Sequence, residues 1–104
     1  MPQITVIGSG VSGMSSAVCL QQAGFDVTII TRDMPKFTTS MAAGAIWYGD
    51  GTVGKSREWA KITLEHFQKL AKVDDSGVQI VRLQEVFPDH RSESPWFKDL
   101  LPYF

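Results

Sequence analysis

The sequence predicts an α/β fold built on a βαβ unit, in which a helix joins two parallel strands. Residues 4–7 and 27–30 are short β-branched runs, which are typical of buried strands. Between them, residues 11–23 carry a helical pattern that stops at Gly24, a residue suited to the left-handed position after a helix. A strand, a helix and a second strand within about 30 residues form this unit, whose crossover is almost always right-handed.

Two further elements are predicted downstream. Residues 56–73 form a second helix, because apolar residues and one threonine recur at three- and four-residue intervals along a face expected to point into the core: Trp59, Ile62, Thr63, Phe67 and Leu70. Residues 78–83 alternate apolar and polar side chains, which predicts a third strand. Residues 32–40 and 88–95 have the composition of loops.

Composition excludes several classes of protein. A chain of 104 residues holds one domain at most, and 43% hydrophobic with 20% charged residues is typical of a folded globular domain. A net charge of −1 provides no basic surface for nucleic acid or an anionic membrane, and the amino terminus resembles neither a signal peptide nor a membrane span. The single cysteine, Cys19, forms no internal disulfide and is expected to be buried in the first helix. The two histidines lack partners at ligand spacing, so no metal site is predicted.

A glycine-rich turn follows the first strand and opens the first helix. Residues 8–13 read G-x-G-x-x-G, in the strand–turn–helix context that makes this motif specific for a dinucleotide. The absent side chain at Gly10 lets a pyrophosphate approach the backbone, and Gly13 lets the helix pack closely on the strands. The helix N-terminus then offers free N–H groups and partial positive charge to the phosphates.

The end of the second strand departs from the usual pattern. An acidic residue normally binds the adenosine ribose there, but this chain has Thr31 followed by Arg32. An arginine at this point could receive the 2′-phosphate of NADP, so an NADPH-dependent reductase is an open alternative. Asp33 comes one or two positions late, and it is either a ribose ligand or a solvated turn residue.

Two runs of sequence resemble the start of D-amino-acid oxidases and the related D-aspartate oxidases: ITVIGSGVSGMSSAVCLQQAGFDVTIITRD and TTSMAAGAIW. Two later runs resemble that family more loosely: SREWAKITLEHFQKL and SPWFKDLLPYF. Some family members also carry Arg-Asp at the end of the second strand and lack an acid at the usual position. The resemblance implies a Rossmann-like FAD-binding unit with a parallel sheet, incomplete without further polypeptide. Residues 1–104 would then be the N-terminal part of an FAD-binding domain.

The resemblance also implies which residues bind FAD. The pyrophosphate would be held by the glycine turn: Gly8, Ser9, Gly10, Val11, Ser12 and Gly13. Thr31 and Arg32 would lie by the adenosine. Hydroxyl groups of Thr38, Thr39 and Ser40 would donate to phosphates, although such a cluster can also cap a helix. Small residues would pass along the isoalloxazine ring: Ala42, Ala43, Gly44 and Ala45. Trp47 would lie near the flavin or in the core.

The implied activity is the oxidative deamination of D-amino acids, with hydride transfer to the flavin and reoxidation by oxygen. In the family, the tyrosines and the arginine that hold the substrate lie beyond residue 104, so no catalytic residue is assigned and this chain alone is expected to be inactive. Besides the reductase, a non-catalytic nucleotide-binding subunit completed by another chain stays open.

The expected partners are a small amino-acid substrate and the remaining polypeptide of the enzyme, from the same precursor or a second chain; a homo-oligomer is possible. The expected location is cytoplasmic, or peroxisomal in a eukaryote. Residues 96–104 are apolar, and we expect them to be packed on another polypeptide or disordered.

Overall fold

The computed structural model describes residues 1–49, 51–90 and 93–102, in two compact units, Met1–Ile46 and Trp47–Phe104. In the first unit, strand β1 spans Gln3–Ile7, helix α1 spans Val11–Gln22 and strand β2 spans Asp26–Ile30. The strands pair in parallel, in a register that runs from Gln3 opposite Asp26 to Ile7 opposite Ile30. The predicted βαβ unit is therefore confirmed.

Helix α1 packs against the two-stranded sheet on one face. Alternate residues of both strands are half-buried, while the residues between them are exposed. Ala17 is the buried residue of α1, and its small side chain suits close contact with a sheet. Cys19 is exposed, contrary to expectation, because it lies off the line of Gly13, Ala17 and Leu20 that turns inward.

The first helix ends as the sequence predicts. Gly24 has a φ of +93°, in the left-handed region that favours glycine. Its N–H donates to the carbonyl of Gln21 at 3.0 Å, and the Ala23 N–H donates to that of Cys19 at the same distance. These bonds satisfy carbonyl groups that the end of a helix leaves free. Beyond β2, a 3₁₀ turn at Pro35–Phe37 precedes the four-residue helix α2, Thr39–Ala42.

The second unit contains helix α3, Lys55–Leu70, and a 3₁₀ turn at Lys98–Leu100. Helix α3 begins one residue before the predicted helix and ends three residues before it, in a turn where Val73 donates to the carbonyl of Leu70. The predicted strand at residues 78–83 is wrong: this stretch has no regular structure. Within the described part of the unit it has no strand to pair with, and alternation alone does not form a strand.

Phe97 forms the centre of the second unit, with 3% of its surface exposed. Three rings meet it edge to face, at centroid distances of 5.4 Å for Trp47, 5.5 Å for Tyr48 and 5.8 Å for Trp96. The Trp96 indole also donates to the Gly49 carbonyl at 2.8 Å. The expectation that this segment packs on another polypeptide or is disordered is therefore wrong for Trp96 and Phe97. Residues 103 and 104 lie outside the described residues.

Helix α3 turns a different face inward from the one predicted. Leu64 is buried, whereas Trp59 is 64% exposed and Ile62, Phe67 and Leu70 are also exposed. On the inward side, the Trp47 indole donates to the Ala60 carbonyl at 2.9 Å. Trp47 therefore belongs to the aromatic centre of this unit. No helix in the described parts of the chain has the length and apolar character that crossing a membrane requires.

Candidate cofactor-binding site

A groove of about 520 Å³ opens at the carboxyl ends of the two parallel strands. The glycine turn follows β1 and residues 31–33 follow β2, so both loops lie at the same edge of the sheet. The Gly8 N–H donates to the Ile30 carbonyl at 2.8 Å, which joins the two loops where they leave the strands. The groove is lined by Ile7, Gly8, Ser9, Gly10, Ile30, Thr31, Arg32, Asp33, Phe37, Thr38, Thr39 and Ser40.

The glycine turn and α1 approach each other too closely for a side chain at Gly13. A Cβ there would lie 2.1 Å from the Gly8 carbonyl oxygen and 2.8 Å from its carbon, and both of these are backbone atoms. At Gly10 a Cβ would lie 3.0 Å from the Ser40 hydroxyl, the end of a side chain that is able to rotate away. The two glycines therefore have different tasks: Gly13 is required for packing, and Gly10 keeps the rim of the groove open.

The N-terminus of α1 is partly occupied by a side chain from α2. The Ser40 hydroxyl accepts a hydrogen bond from the Val11 N–H at 2.9 Å. The next two N–H groups, those of Ser12 and Gly13, make no hydrogen bond within the described residues. Such free donors at a helix N-terminus suit the oxygens of a phosphate.

The Ser9 side chain does not face the groove as a free donor. It is only 4% exposed, and its hydroxyl donates to the main-chain carbonyl of Asp33 at 2.7 Å. The Thr31 hydroxyl lies 2.9 Å from that of Ser9 and donates to the same carbonyl at 2.8 Å. These contacts join the glycine turn directly to the loop after β2.

Arg32 projects from that loop with its side chain 93% exposed. Its Nε and one terminal nitrogen each lie 2.9 Å from the same carboxylate oxygen of Asp33. An ion pair this exposed contributes little to stability, but it places a guanidinium at the groove with part of its charge offset by a neighbour.

The three hydroxyl groups of the Thr-Thr-Ser cluster differ in what they offer a ligand. The Thr38 hydroxyl donates to the Pro35 carbonyl at 2.7 Å, so its proton is already used. The Ser40 hydroxyl accepts from Val11 and keeps its own proton. Thr39 makes no side-chain hydrogen bond within the described residues and is exposed. Thr39 and Ser40 are therefore the two hydroxyls of the cluster with a proton to donate.

The segment expected to run along the flavin lies beyond the groove. Ala42 ends α2 and Ala43 is extended, with φ −78° and ψ 134°. All four residues are exposed and none lines the groove: Ala42, Ala43, Gly44 and Ala45. The structure thus brings the glycine turn, Thr31, Arg32 and the hydroxyl cluster together, and leaves this segment open beside them.

Two groups at the groove escaped the sequence analysis. The Asp33 carbonyl receives two hydroxyl donors, but a main-chain oxygen carries no sequence signal. Phe37 lines the groove with 70% of its surface exposed, and the Lys36 ammonium lies 4.9 Å from its ring centroid. An aromatic residue within a polar loop was the signal that could have identified Phe37.

A protein-family model described as FAD dependent oxidoreductase matches residues 3–94 of the chain. The chain belongs to this family. It is 33% identical to a D-amino-acid oxidase of Rubrobacter xylanophilus, over 95% of the chain and 31% of that protein. It is also 33% identical to a D-amino-acid oxidase of Streptomyces coelicolor, over 76% of the chain and 26% of that protein.

A D-aspartate oxidase of Homo sapiens is 30% identical, over 95% of the chain and 32% of that protein. The chain therefore spans about a third or less of the length of these curated relatives. No solved structure matches it.

The family's cofactor is FAD, and the residues at the groove fit its pyrophosphate. A Cβ added at Gly8 would meet nothing within 4 Å, so there is open space in front of the turn. The free N–H groups of Ser12 and Gly13 and the Thr39 and Ser40 hydroxyls are donors, and Arg32 supplies positive charge. Donors and a cation are what a pyrophosphate requires.

Proposed function

We propose that this chain is the FAD-binding part of an enzyme that oxidatively deaminates D-amino acids. The observation that carries the proposal is the groove at the ends of β1 and β2, where the glycine turn meets the loop after β2 and the hydroxyl cluster. The similarity to two D-amino-acid oxidases and a D-aspartate oxidase supports the choice of substrate class.

In this proposal backbone N–H groups and side-chain hydroxyls hold the pyrophosphate together. The N–H groups of Ser12 and Gly13 donate to phosphate oxygens, and the hydroxyls of Thr39 and Ser40 add two further donors. Thr38 acts through the turn that it stabilises, since its proton is used by Pro35. Ser9 and Thr31 contribute through the loop that they fix, and Arg32 lies on the adenosine side.

Bound FAD supplies the redox chemistry, which is hydride acceptance from the amino-acid α-carbon followed by reoxidation by oxygen. The small residues from Ala42 to Ala45 allow a planar ring system to approach the backbone. Groups that hold the amino acid come from further polypeptide in this proposal, because the tyrosines and the arginine that hold the substrate in the resembled family lie beyond residue 104.

Replacing Gly10 with valine tests the cofactor assignment. We expect FAD affinity to fall about 10- to 100-fold, because a branched side chain would occupy the rim of the groove at a cost of about 1–3 kcal/mol. The fold should persist, since the nearest atom to a new Cβ is the rotatable Ser40 hydroxyl at 3.0 Å. The measurement is FAD binding to the purified apoprotein.

The matched control for Gly10→Val is Ser16→Val, which introduces the same side chain at an exposed position of α1. It should bind FAD as the wild type does, with far-UV circular dichroism unchanged in both variants. Wild-type FAD affinity in Gly10→Val, at equal folding, would contradict the assignment of the groove.

Arg32 decides between FAD and the 2′-phosphate of NADPH. We expect titration with NADPH and with NADH to show no tight site selective for the 2′-phosphate, because Asp33 already offsets the Arg32 charge at 2.9 Å. Arg32→Ala should weaken FAD binding only about threefold, as befits an exposed charge. NADH is the matched ligand, since it lacks only the phosphate. A clear NADPH preference that disappears in Arg32→Ala would favour the reductase instead.

A further inference from the structure

Ser9 is a buried polar residue whose hydroxyl makes both of its contacts inside the protein. Its oxygen lies 2.7 Å from the Asp33 carbonyl and 2.9 Å from the Thr31 hydroxyl, which lies 2.8 Å from the same carbonyl. These three oxygens join residues that are 22 and 24 positions apart in the chain.

A count of protons shows what this cluster offers a ligand. The two hydroxyls have one proton each, and the carbonyl has none but accepts two hydrogen bonds. Both hydroxyls either donate to Asp33, or one donates to the other, which then donates to Asp33. Each arrangement makes two of the three contacts hydrogen bonds and uses both protons internally, so the Ser9 hydroxyl has no proton to donate to a phosphate.

We propose that Ser9 is a positioning residue for the adenosine side of the cofactor site. Its hydroxyl fixes residues 31–33 against the glycine turn, and this loop carries Arg32 at the groove. The proposal rests on the assignment of the groove to FAD. Ser9 acts through the Asp33 carbonyl and Thr31 and does not itself contact the cofactor through its side chain.

The same cluster holds the loop after β2 through its main chain rather than through a charged side chain. Two hydroxyl groups, those of Ser9 and Thr31, contact the main-chain carbonyl of Asp33, which leaves the Asp33 carboxylate to pair with Arg32. A serine at the variable position of the glycine motif and a threonine at the end of β2 therefore act as one unit.

The test compares Ser9→Ala with Ser15→Ala, a matched control at an exposed position of α1. The apoprotein, purified together with the further polypeptide of the enzyme, is titrated with FAD, and amide hydrogen exchange is followed without ligand. We expect Ser9→Ala to bind FAD about tenfold more weakly, as the loss of one buried hydrogen bond predicts. Exchange should accelerate at residues 31–34 and stay unchanged in β1 and β2. Ser15→Ala should match the wild type in both measurements.

Thr31 supplies a second pair of variants if Ser9→Ala does not fold. Thr31→Val keeps the shape but removes the hydroxyl, and Thr31→Ser keeps the hydroxyl. We expect Thr31→Val to weaken FAD binding and accelerate exchange at residues 31–34, and Thr31→Ser to restore both.

Several results would overturn the positioning role. They are unchanged FAD affinity in Ser9→Ala, weaker binding with no change in exchange at residues 31–34, and faster exchange that extends through both strands. Each is distinct from failure of the proposed function, which would show as an absence of FAD binding by the wild-type protein.

Discussion

Replacing Gly13 with alanine is expected to destabilise the protein by about 1–3 kcal/mol. The new Cβ would lie 2.1 Å from the Gly8 carbonyl oxygen and 2.8 Å from its carbon. Neither atom is able to rotate away, so α1 must move off the turn, and overpacking of this kind costs about 1–3 kcal/mol or more. In the interior of a helix, alanine normally stabilises relative to glycine by up to about 1 kcal/mol. A large loss of stability in Gly13→Ala would therefore be opposite in sign to the effect of helix propensity.

The measurement for Gly13→Ala is urea unfolding of the protein purified together with the further polypeptide that completes it, with Gly44→Ala as the matched control. A Cβ at Gly44 would meet nothing within 4 Å, so that substitution should change the free energy of unfolding by less than about 0.5 kcal/mol. Similar midpoints for the two variants would show that the helix and the turn are farther apart than the structure indicates.

The glycine turn was predictable because its geometry depends on backbone alone. A residue without a side chain permits only a few arrangements between a strand and a helix, and the spacing of Gly8, Gly10 and Gly13 identifies one of them. The limits of β1, α1 and β2 followed within one residue at each end for the same reason. Local sequence pattern and tertiary contacts agree there, because the two strands pair directly with each other and a single helix connects them.

The hydrogen-bond partners of the hydroxyl groups were not predictable. Ser9 and Thr38 both donate to main-chain carbonyls, and such partners have no residue-type signature. The sequence identified a cluster of hydroxyls suited to phosphate, but only the structure distinguishes Thr38, whose proton is used, from Ser40, which keeps its own.

The face of α3 shows a different limit of sequence reasoning. Periodicity located the helix, and the apolar stripe through Trp59 and Ile62 pointed to the core. Within this chain the inward side is instead the one that carries Leu64. The helix therefore has an inward side that packs within its own unit and a second apolar stripe that is exposed to solvent.

That exposed stripe leads to the second large effect, which concerns the 104-residue chain produced alone. We expect it to show no cooperative unfolding transition and no peroxide production with D-amino acids. Among the described hydrophobic residues, only Ala17, Leu64 and Phe97 are buried. Burying a large apolar side chain contributes about 1.5–3 kcal/mol, whereas ordering each residue's backbone costs about 1–2 kcal/mol. So small a core does not offset the loss of chain entropy.

The experiment follows thermal and urea unfolding of residues 1–104 by circular dichroism, together with a peroxide assay. A variant with Trp59→Gln and Ile62→Gln distinguishes two reasons why the chain would lack a cooperative transition. One is aggregation, and the other is too small a core. Because both side chains are exposed, the variant should stay soluble at higher concentration and still lack a cooperative transition. A sharp transition with the urea dependence of a protein of this size, or peroxide production from a D-amino acid, would show that these residues suffice for folding or for catalysis. If instead the transition appears only when further polypeptide is present, the stripe through Trp59 and Ile62 is the surface to examine first, because both side chains are exposed.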